Sequence, residues 1–340
     1  MPLDASGNAK KVAAVAKPEL VTSWEAFKNS FGDIQAGNKT LALAVYGFFD
    51  NGGTRCWITR VAKEADLADL TKVLPQFETI DEISMVAAPG VSLKAQQEAL
   101  VAHCVRMLDR VAILDGVEKP AKLTLGDITS APTSTFAALY FPWIQVFDPV
   151  TSQGVWQPPS GHVAGVCARV DAQRGVFKAP ANEVPRGALD VEFRVTRNDQ
   201  DDLNEKGVNI IRSFDGNLLI WGARTLGGDE NGEFKYLSVR RYFNFLRKSI
   251  YQGTQFVVFE PNSPALWQRI IRSVSDFLLG QWRDGALFGE TAKQAFFVKC
   301  DADTNPPDVR ARGQVVTEIG VAIVQPAEFV IFRIQQQTGG

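Results

Sequence analysis

Val315 to Ile334 reads VVTEIGVAIVQPAEFVIFRI, and the alternation in its first half decides how the rest of the chain is parsed. Val315, Thr317, Ile319, Val321 and Ile323 fall on one side of an extended backbone, with Glu318 and Gly320 on the other. A period of two predicts a half-buried strand. Gln325, Pro326, Ala327 and Glu328 interrupt it, and Phe329 to Ile334 is a second β-rich run, apolar on both faces. A strand of that kind wants neighbours all round. At the chain end it is either tucked into its own sheet or lent to the open edge of another molecule's sheet. The pattern alone leaves both uses standing, and Glu328, Phe329, Val330, Ile331, Phe332, Arg333 and Ile334 are the candidate residues for the second.

Working back from that stretch, Phe296 to Cys300 is an internal strand, and Ser263-Pro264 supplies an N-cap and a first-turn proline for a long helix to about Arg283. Its core face is Leu266, Trp267, Ile270, Ile271, Val274, Phe277 and Leu278, while Arg269, Arg272, Asp276 and Arg283 point outward. Gln255 to Glu260 reads as a strand. Tyr236 to Ile250 reads as a helix with Val239, Phe243, Leu246 and Ile250 as its apolar stripe. Arg240, Arg241, Asn244, Arg247 and Lys248 share its opposite face. Val208 to Phe214 and Leu218 to Trp221 are strands joined through an Asp-Gly-Asn turn.

Upstream, Leu189, Val191, Phe193 and Val195 alternate with Asp190, Glu192 and Arg194 as a half-buried strand, and Asp199-Gln200-Asp201-Asp202 reads as an acidic turn that marks a boundary. Prolines and glycines punctuate Pro120 to Pro185, where long regular elements are not expected. The first half alternates strand and helix: a helix opening at Ser23, strands at Leu41 to Tyr46 and Arg55 to Val61, a helix near Lys63 to Val73, a strand at Ile83 to Ala87, a helix from Gln96 to Arg110 and a strand at Val111 to Asp115. The expected fold class is α+β or mixed α/β, with layered mixed sheets flanked by helices. The expected division is residues 1–20 as an arm or leader, 21–200, 201–326, and 327–340 as a C-terminal strand arm.

At 340 residues the chain has room for about two domains of roughly 150 residues. With 45% hydrophobic and 22% charged residues and a net charge of −2, nothing draws it globally to nucleic acid or an anionic membrane. No apolar run reaches the roughly 20 residues a membrane helix needs, so direct membrane insertion is not expected. The N-terminus lacks the layout of a secretion signal. Cys56, Cys104, Cys167 and Cys300 stand singly, which suits a reducing compartment and assembly in the cytoplasm.

Catalytic and metal readings fail one by one. His103 and His162 are the 2 histidines, and no GxSxG elbow places a serine beside either. Asp301, Asp303 and Asn305 start like a calcium loop, but Pro306 stands where glycine is required and Arg312 where a bidentate glutamate is required. Gly227-Gly228-Asp229 is turn punctuation, with no Walker or dinucleotide pattern around it. No Cys or His pair has zinc-ligand spacing. No enzyme activity, metal or cofactor is expected. What remains is two basic helix faces, Arg240/Arg241/Arg247/Lys248 and Arg269/Arg272/Arg283.

The chain resembles the contractile tail sheath proteins of phages and of extracellular contractile injection systems. The runs that carry the resemblance include LVTSWEAFKNSFG, AVYGFFDNGGTRCWITRV, AALYFPWIQVFDP, PPSGHVAGVCARVDAQRGVFKAPANEV, WGARTL, VRRYFNFLRKSI, DGALFG and PAEFVIFRI, in family order over roughly residues 20 to 334. One departure lies at the start: no run like the family's APGVYVEE arm precedes Lys17-Pro18. Either Val12 to Val15 does that work in shortened form, or the arm is missing.

The resemblance implies a structural subunit that polymerises with itself as stacked hexameric rings around an inner tube protein, bounded by baseplate and cap proteins, and contracts to drive the tube through a target envelope. It implies that terminal strands are exchanged between subunits, which turns the second use of Phe329 to Ile334 into the expected one, and that one of the two basic faces meets the inner tube or a neighbour. Such a particle would be assembled in the bacterial cytoplasm as part of a phage tail or extracellular contractile particle. Two other readings are a low-copy, sheath-like cap or initiator and an α/β hydrolase using His162.

Overall fold

The computed structural model describes residues 13–328. Its elements run in chain order as β1 (Glu19–Val21), α1 (Trp24–Phe31), α2 (Lys39–Asp50), β2 (Cys56–Ile58), β3 (Met85–Ala87), α3 (Lys94–Met107), β4 (Val111–Asp115), the single turn α4 (Leu125–Ile128), β5 (Ala137–Phe141), β6 (Ile144–Asp148), β7 (Gln153–Gln157) and α5 (Ser160–Arg174). There follow β8 (Ala188–Val191), α6 (Arg197–Glu205), β9 (Val208–Phe214), β10 (Asn217–Ile220), α7 (Leu237–Gly253), α8 (Pro264–Arg283), the short α9 (Ala292–Ala295), β11 (Phe296–Lys299), the short α10 (Pro307–Ala311) and β12 (Glu318–Val321).

Every residue of β4 and β5 is buried, as strands at the centre of a parallel sheet must be when helices cover both faces. The sheet runs β10-β9-β5-β4-β3, with β3, β4, β5 and β9 parallel and β10 returning antiparallel. Asp215 and Gly216 both take positive φ (47° and 87°), which is what a two-residue hairpin turn between twisted strands requires. Val111 and Ile113 face α5, whose Val163, Val166, Cys167 and Val170 share that core with Leu43 and Val45 of α2. Ala112 and Leu114 face the other way, onto Leu100 and Cys104 of α3 and Leu203 of α6. The pair α2 and α5 cross closely because Gly161 and Gly165 lie against the Ala44 and Phe48 carbonyls, where a Cβ would collide. A small sheet, β7-β6-β8, flanks this body.

The C-terminal unit has its own core. Tyr242 and Leu246 of α7 pack on Leu266, Trp267, Ile270, Val274 and Leu278 of α8, and the antiparallel pair β11–β12 contributes Phe296, Val298, Ile319 and Val321. The alternation read from Val315 to Ile323 holds in which residues turn toward this core, Val315, Ile319, Val321 and Ile323, but the paired strand itself is confined to Glu318–Val321, with an isolated bridge at Ile323. Phe329 to Ile334 lie outside the described residues.

Several expectations are corrected. Leu41 to Tyr46 is helical, not extended. Ala42, Leu43, Ala44 and Val45 are all buried, and a helix covered on most sides loses the period that distinguishes it from a buried strand. The region Pro120 to Pro185 contains α5, one of the most buried helices, because its prolines flank the helix and its glycines serve the α2 contact. Asp199 to Asp202 lies within α6, whose Thr196 and Asp199 form a capping box, so the expected boundary near residue 200 falls in a helix and the main sheet is completed only by β10. Lys63 to Val73 breaks into 3₁₀ turns, with Asp69 accepting from the Thr71 amide at 3.2 Å. Gln255 to Glu260 is a turn, not a strand, and no strand of the described chain lies beside it. The strand expected from Leu189 to Val195 is only β8, with Leu189 exposed. The expected leader is folded from Ala13 onward: Ala13 is buried, Val15 bridges Arg60, and β1 pairs with β2.

Candidate functional site

The root of the C-terminal segment is held at both ends. On one side β12 pairs with β11 in the register Phe296↔Val321 to Lys299↔Glu318, and the amides of Ala322 and Val324 then donate to the carbonyls of Ala295 (2.8 Å) and Ala286 (3.2 Å). The chain next crosses back to the N-terminal body. There the Glu328 carboxylate accepts from Arg224 Nε at 2.8 Å and Nη2 at 2.7 Å, from Asn204 Nδ2 at 2.8 Å and from the Tyr236 hydroxyl at 2.9 Å. Arg224 is itself locked in place. It is 2% exposed, its amide donates to Asn209 Oδ1 at 2.7 Å, and its Nη1 donates to the Asn204 carbonyl at 3.0 Å. Burial draws the Glu328 pKa upward, but the bonds from Arg224 and Asn204 outweigh it and leave the carboxyl below its ordinary value. Sequence reasoning groups Glu328 with the donated strand; its side chain instead binds its own chain. Asn204, Arg224 and Tyr236 escape that reasoning, since single polar residues in short segments carry no periodic signal.

The first basic face is turned inward. Arg240 and Arg241 are buried, and so is Asn244, while Phe243 and Phe245 on the other side of α7 are exposed. Arg241 forms a two-pronged ion pair with Asp171 at the end of α5, its Nη1 at 3.0 Å from Oδ1 and its Nη2 also bonded. Burial alone would lower the Arg241 pKa; Asp171 outweighs it and holds the guanidinium charged. Arg240 has no carboxylate. Its guanidinium lies 3.5 Å from the Phe234 ring centroid and 4.2 Å from that of Phe136, and donates to Thr135 Oγ1 at 3.0 Å. Burial pulls its pKa down to about 10, still charged at neutral pH. Arg247 donates to the Leu108 carbonyl at 3.4 Å, and Lys248 pairs with Asp109 at 3.3 Å. The expectation of a free interaction surface on Arg240 and Arg241 is therefore corrected. A helix between two units buries a polar face when both units supply counter-groups.

The second basic face is outward. Arg269, Arg272 and Arg283 of α8 are exposed, with Asp276 on the same stripe. Arg269 lies 5.1 Å over the Phe256 ring and 3.3 Å from Glu260. Phe256, Arg269, Arg272, Ser273 and Asp276 line a shallow depression of about 230 Å³. The rejected catalytic candidates are inside the protein. His162 is 3% exposed, its ring packed on Gly47, and His103 is 1% exposed. Among the described residues no group of three or more His, Cys, Asp or Glu side chains could hold a metal ion.

Comparison with known proteins covers both units. Residues 63–226 match the phage tail sheath protein central domain, and residues 229–337 match the phage tail sheath C-terminal domain. The tail sheath protein of Burkholderia phage BcepMu is 26% identical over 218 residues, 62% of this chain and 44% of that protein. The chain spans 28% to 64% of the length of the curated relatives it matches. Among solved structures, the sheath complex of the extracellular contractile injection system PVC, in its contracted state, aligns with a TM-score of 0.83 at 29% identity, covering 97% of this chain and 92% of that one. The helical sheath of the anti-feeding prophage, also contracted, aligns with a TM-score of 0.81 at 30% identity over 99% of this chain and 96% of that one. With both of its units matched in order, the chain belongs to the phage tail sheath family.

Proposed function

We propose that this protein is the repeating subunit of a contractile sheath: copies stack as hexameric rings around an inner tube, between a baseplate and a cap, and shortening of the lattice drives the tube through a target envelope. The observation that carries this reading is the alignment to the anti-feeding prophage helical sheath, which leaves almost none of either chain unmatched. The particle would be a phage tail or an extracellular contractile device, assembled in the bacterial cytoplasm. Its work is mechanical, and no catalytic residue or cofactor enters the mechanism.

Links between subunits follow from the C-terminal unit. A two-stranded sheet is marginal on its own, and among the described residues the far edge of β11 has no neighbouring strand. The chain leaves the Glu328 anchor just before an apolar, β-rich run, Phe329, Val330, Ile331, Phe332, Arg333 and Ile334. We assign that run to the sheet edge of a neighbouring copy, where main-chain bonds supply affinity and alternate side chains supply register. Donation of this kind is head-to-tail and builds an open helix. Arg269, Arg272 and Arg283 are the surface assigned to the inner tube. Functionally we divide the chain at residues 226–229, with the arm beginning at 327. A preference of about 1–3 kcal/mol per subunit for the short lattice, an ordinary coupling free energy, suffices when many copies are linked.

Electron microscopy of the expressed protein tests this. Cylinders with many copies per particle are expected, and deletion of residues 329–340 should abolish them while leaving a folded monomer. One or a few copies per particle would point to the cap or initiator reading; normal cylinders from the truncated chain would reject strand donation.

A further inference from the structure

Two features at the opposite ends of the α7–α8 pair are open to solvent. The turn joining α7 to α8 carries Phe256, Val258 and Phe259, and Phe259 is 103% exposed. Its φ is +65°, a left-handed conformation that a bulky aromatic residue rarely adopts. Backbone of that kind persists where it serves contact or function. Here it holds an aromatic ring clear of the protein, next in sequence to Glu260, whose carboxylate lies 3.3 Å from Arg269.

An aromatic cleft opens at the other end of the same helix pair. Val176, Phe177, Tyr242, Phe245 and Gln281 line a space of about 490 Å³ together with Arg174, Asp284 and Asp171, the last held by Arg241. The Tyr242 hydroxyl donates to Gln281 Oε1 at 2.9 Å across its floor, and the Phe177 ring stands edge-on to Tyr242 at 82°. An incoming ring would meet both the faces and the edges of aromatic neighbours, the arrangement such rings prefer. Arg174 is exposed and forms no ion pair among the described residues, so it is free to meet a carboxylate arriving with that ring.

The turn cannot fill the cleft of its own molecule. Arg269 of α8 lies beside the turn and Gln281 beside the cleft, and 12 residues of helix at 1.5 Å each separate them by roughly 18 Å. From this geometry we infer that the Phe259 turn of one subunit inserts into the Phe177–Tyr242–Phe245 cleft of a second copy, with Glu260 approaching the neighbour's Arg174. A knob at one end of a rigid helix pair and a hole at the other make a head-to-tail contact, which propagates as an open helix. The inference rests on the sheath reading and adds a second lattice contact to the donated strand.

The test uses particles assembled in cells from the full-length chain carrying Glu260→Cys and Arg174→Cys, treated with a short bis-maleimide. Both positions are exposed, and three of the four native cysteines are buried. A covalent ladder of dimers, trimers and longer chains is expected in cylinders of the double variant and in neither single variant. Adding Phe259→Ala should weaken the ladder at least tenfold while the unassembled monomer keeps its melting temperature. Cylinders that form without a ladder, a ladder unaffected by Phe259→Ala, or a Glu260→Cys thiol joined to the inner tube protein instead would each overturn the inference. Failure of the unmodified protein to form any cylinder would sink the sheath reading itself, which is a separate result.

Discussion

Arg224 and Glu328 face each other across 104 residues of sequence, the guanidinium meeting the carboxylate through Nε at 2.8 Å and Nη2 at 2.7 Å. The bridge ties the last described residue of the chain to the N-terminal body. Paired, planar hydrogen bonds fix orientation as well as distance, so the bridge fixes both the place and the orientation of Glu328 on the N-terminal body. Replacing Arg224 with Met should strand the carboxylate with Asn204 and Tyr236 alone. Breaking one partner of a buried pair costs about 3–5 kcal/mol, and the 18% exposure of Glu328 places this case near the lower end. Urea unfolding of the unassembled chain measures the loss. Hydrogen exchange should show amides 322–328 opening while those of β4 and β5 stay protected. Because the folded carboxyl pKa is depressed, the contribution is complete above the ordinary Glu range and disappears as pH falls through the lower folded value.

The inward basic face leads to a second expectation. Charge reversal at Arg241 would set two carboxylates against each other where Asp171 now pairs with it, and reversal at Arg240 would bury a carboxylate among Phe136 and Phe234. Each variant should lose several kcal/mol of monomer stability, about 3 or more, before any effect on assembly can be read. Circular dichroism melts of the monomer should therefore shift strongly for both. An unchanged melting curve for Arg241→Glu would mean that α7 does not dock on α5 in solution.

How far these features are legible in the sequence depends on whether they have a period. The strand β4 stands out as a continuous apolar run, and the turn at Asp215-Gly216 follows from positive φ chemistry, whereas β5 is hidden in the proline-punctuated stretch where long regular elements are not expected. The helix α2 does not, because Leu41-Ala-Leu-Ala-Val45 is apolar at nearly every position and fits a buried strand equally well. On α7 the stripe is visible, but its inward side depends on Asp171 and Thr135, which lie 70 and 105 residues away. The Glu328 anchor depends on three side chains from separate segments, and only tertiary structure brings them together.

Acid should weaken the body through its buried histidine. His162 sits against Gly47 with no hydrogen bond to Nδ1, and burial lowers its pKa to about 4. A histidine with a depressed folded pKa takes up its proton more readily when unfolded, so stability is complete above the unfolded value of about 6.5 and falls as pH drops toward 4. At 1.36 kcal/mol per pH unit the full effect is roughly 3 kcal/mol. Denaturant titrations between pH 7 and pH 4 should show this slope, and His162→Leu should flatten it. His103, also buried and lowered to about 4, should add a similar slope that survives in the His162 variant.

The outward face of α8 allows folding and assembly to be separated. Arg269 pairs with Glu260 at 3.3 Å, but both side chains are about half exposed (53% and 44%), and such a pair contributes about 0–1 kcal/mol. Arg272 lies one turn further along the same stripe. Substitutions at exposed positions of this kind usually change stability by about 0.5 kcal/mol or less, so the double variant Arg269→Glu, Arg272→Glu should melt within a few degrees of the parent. If this face meets the inner tube, the same variant should still form cylinders from sheath protein alone but fail to retain the tube, because the reversed charges repel a surface selected to attract arginine. Raising salt from low to physiological strength should reduce tube retention by the parent, since exposed charges are screened over about 8–10 Å. Counting tube-filled against empty cylinders in micrographs measures both effects. Tube retention by the variant equal to that of the parent would move the inner contact off this helix.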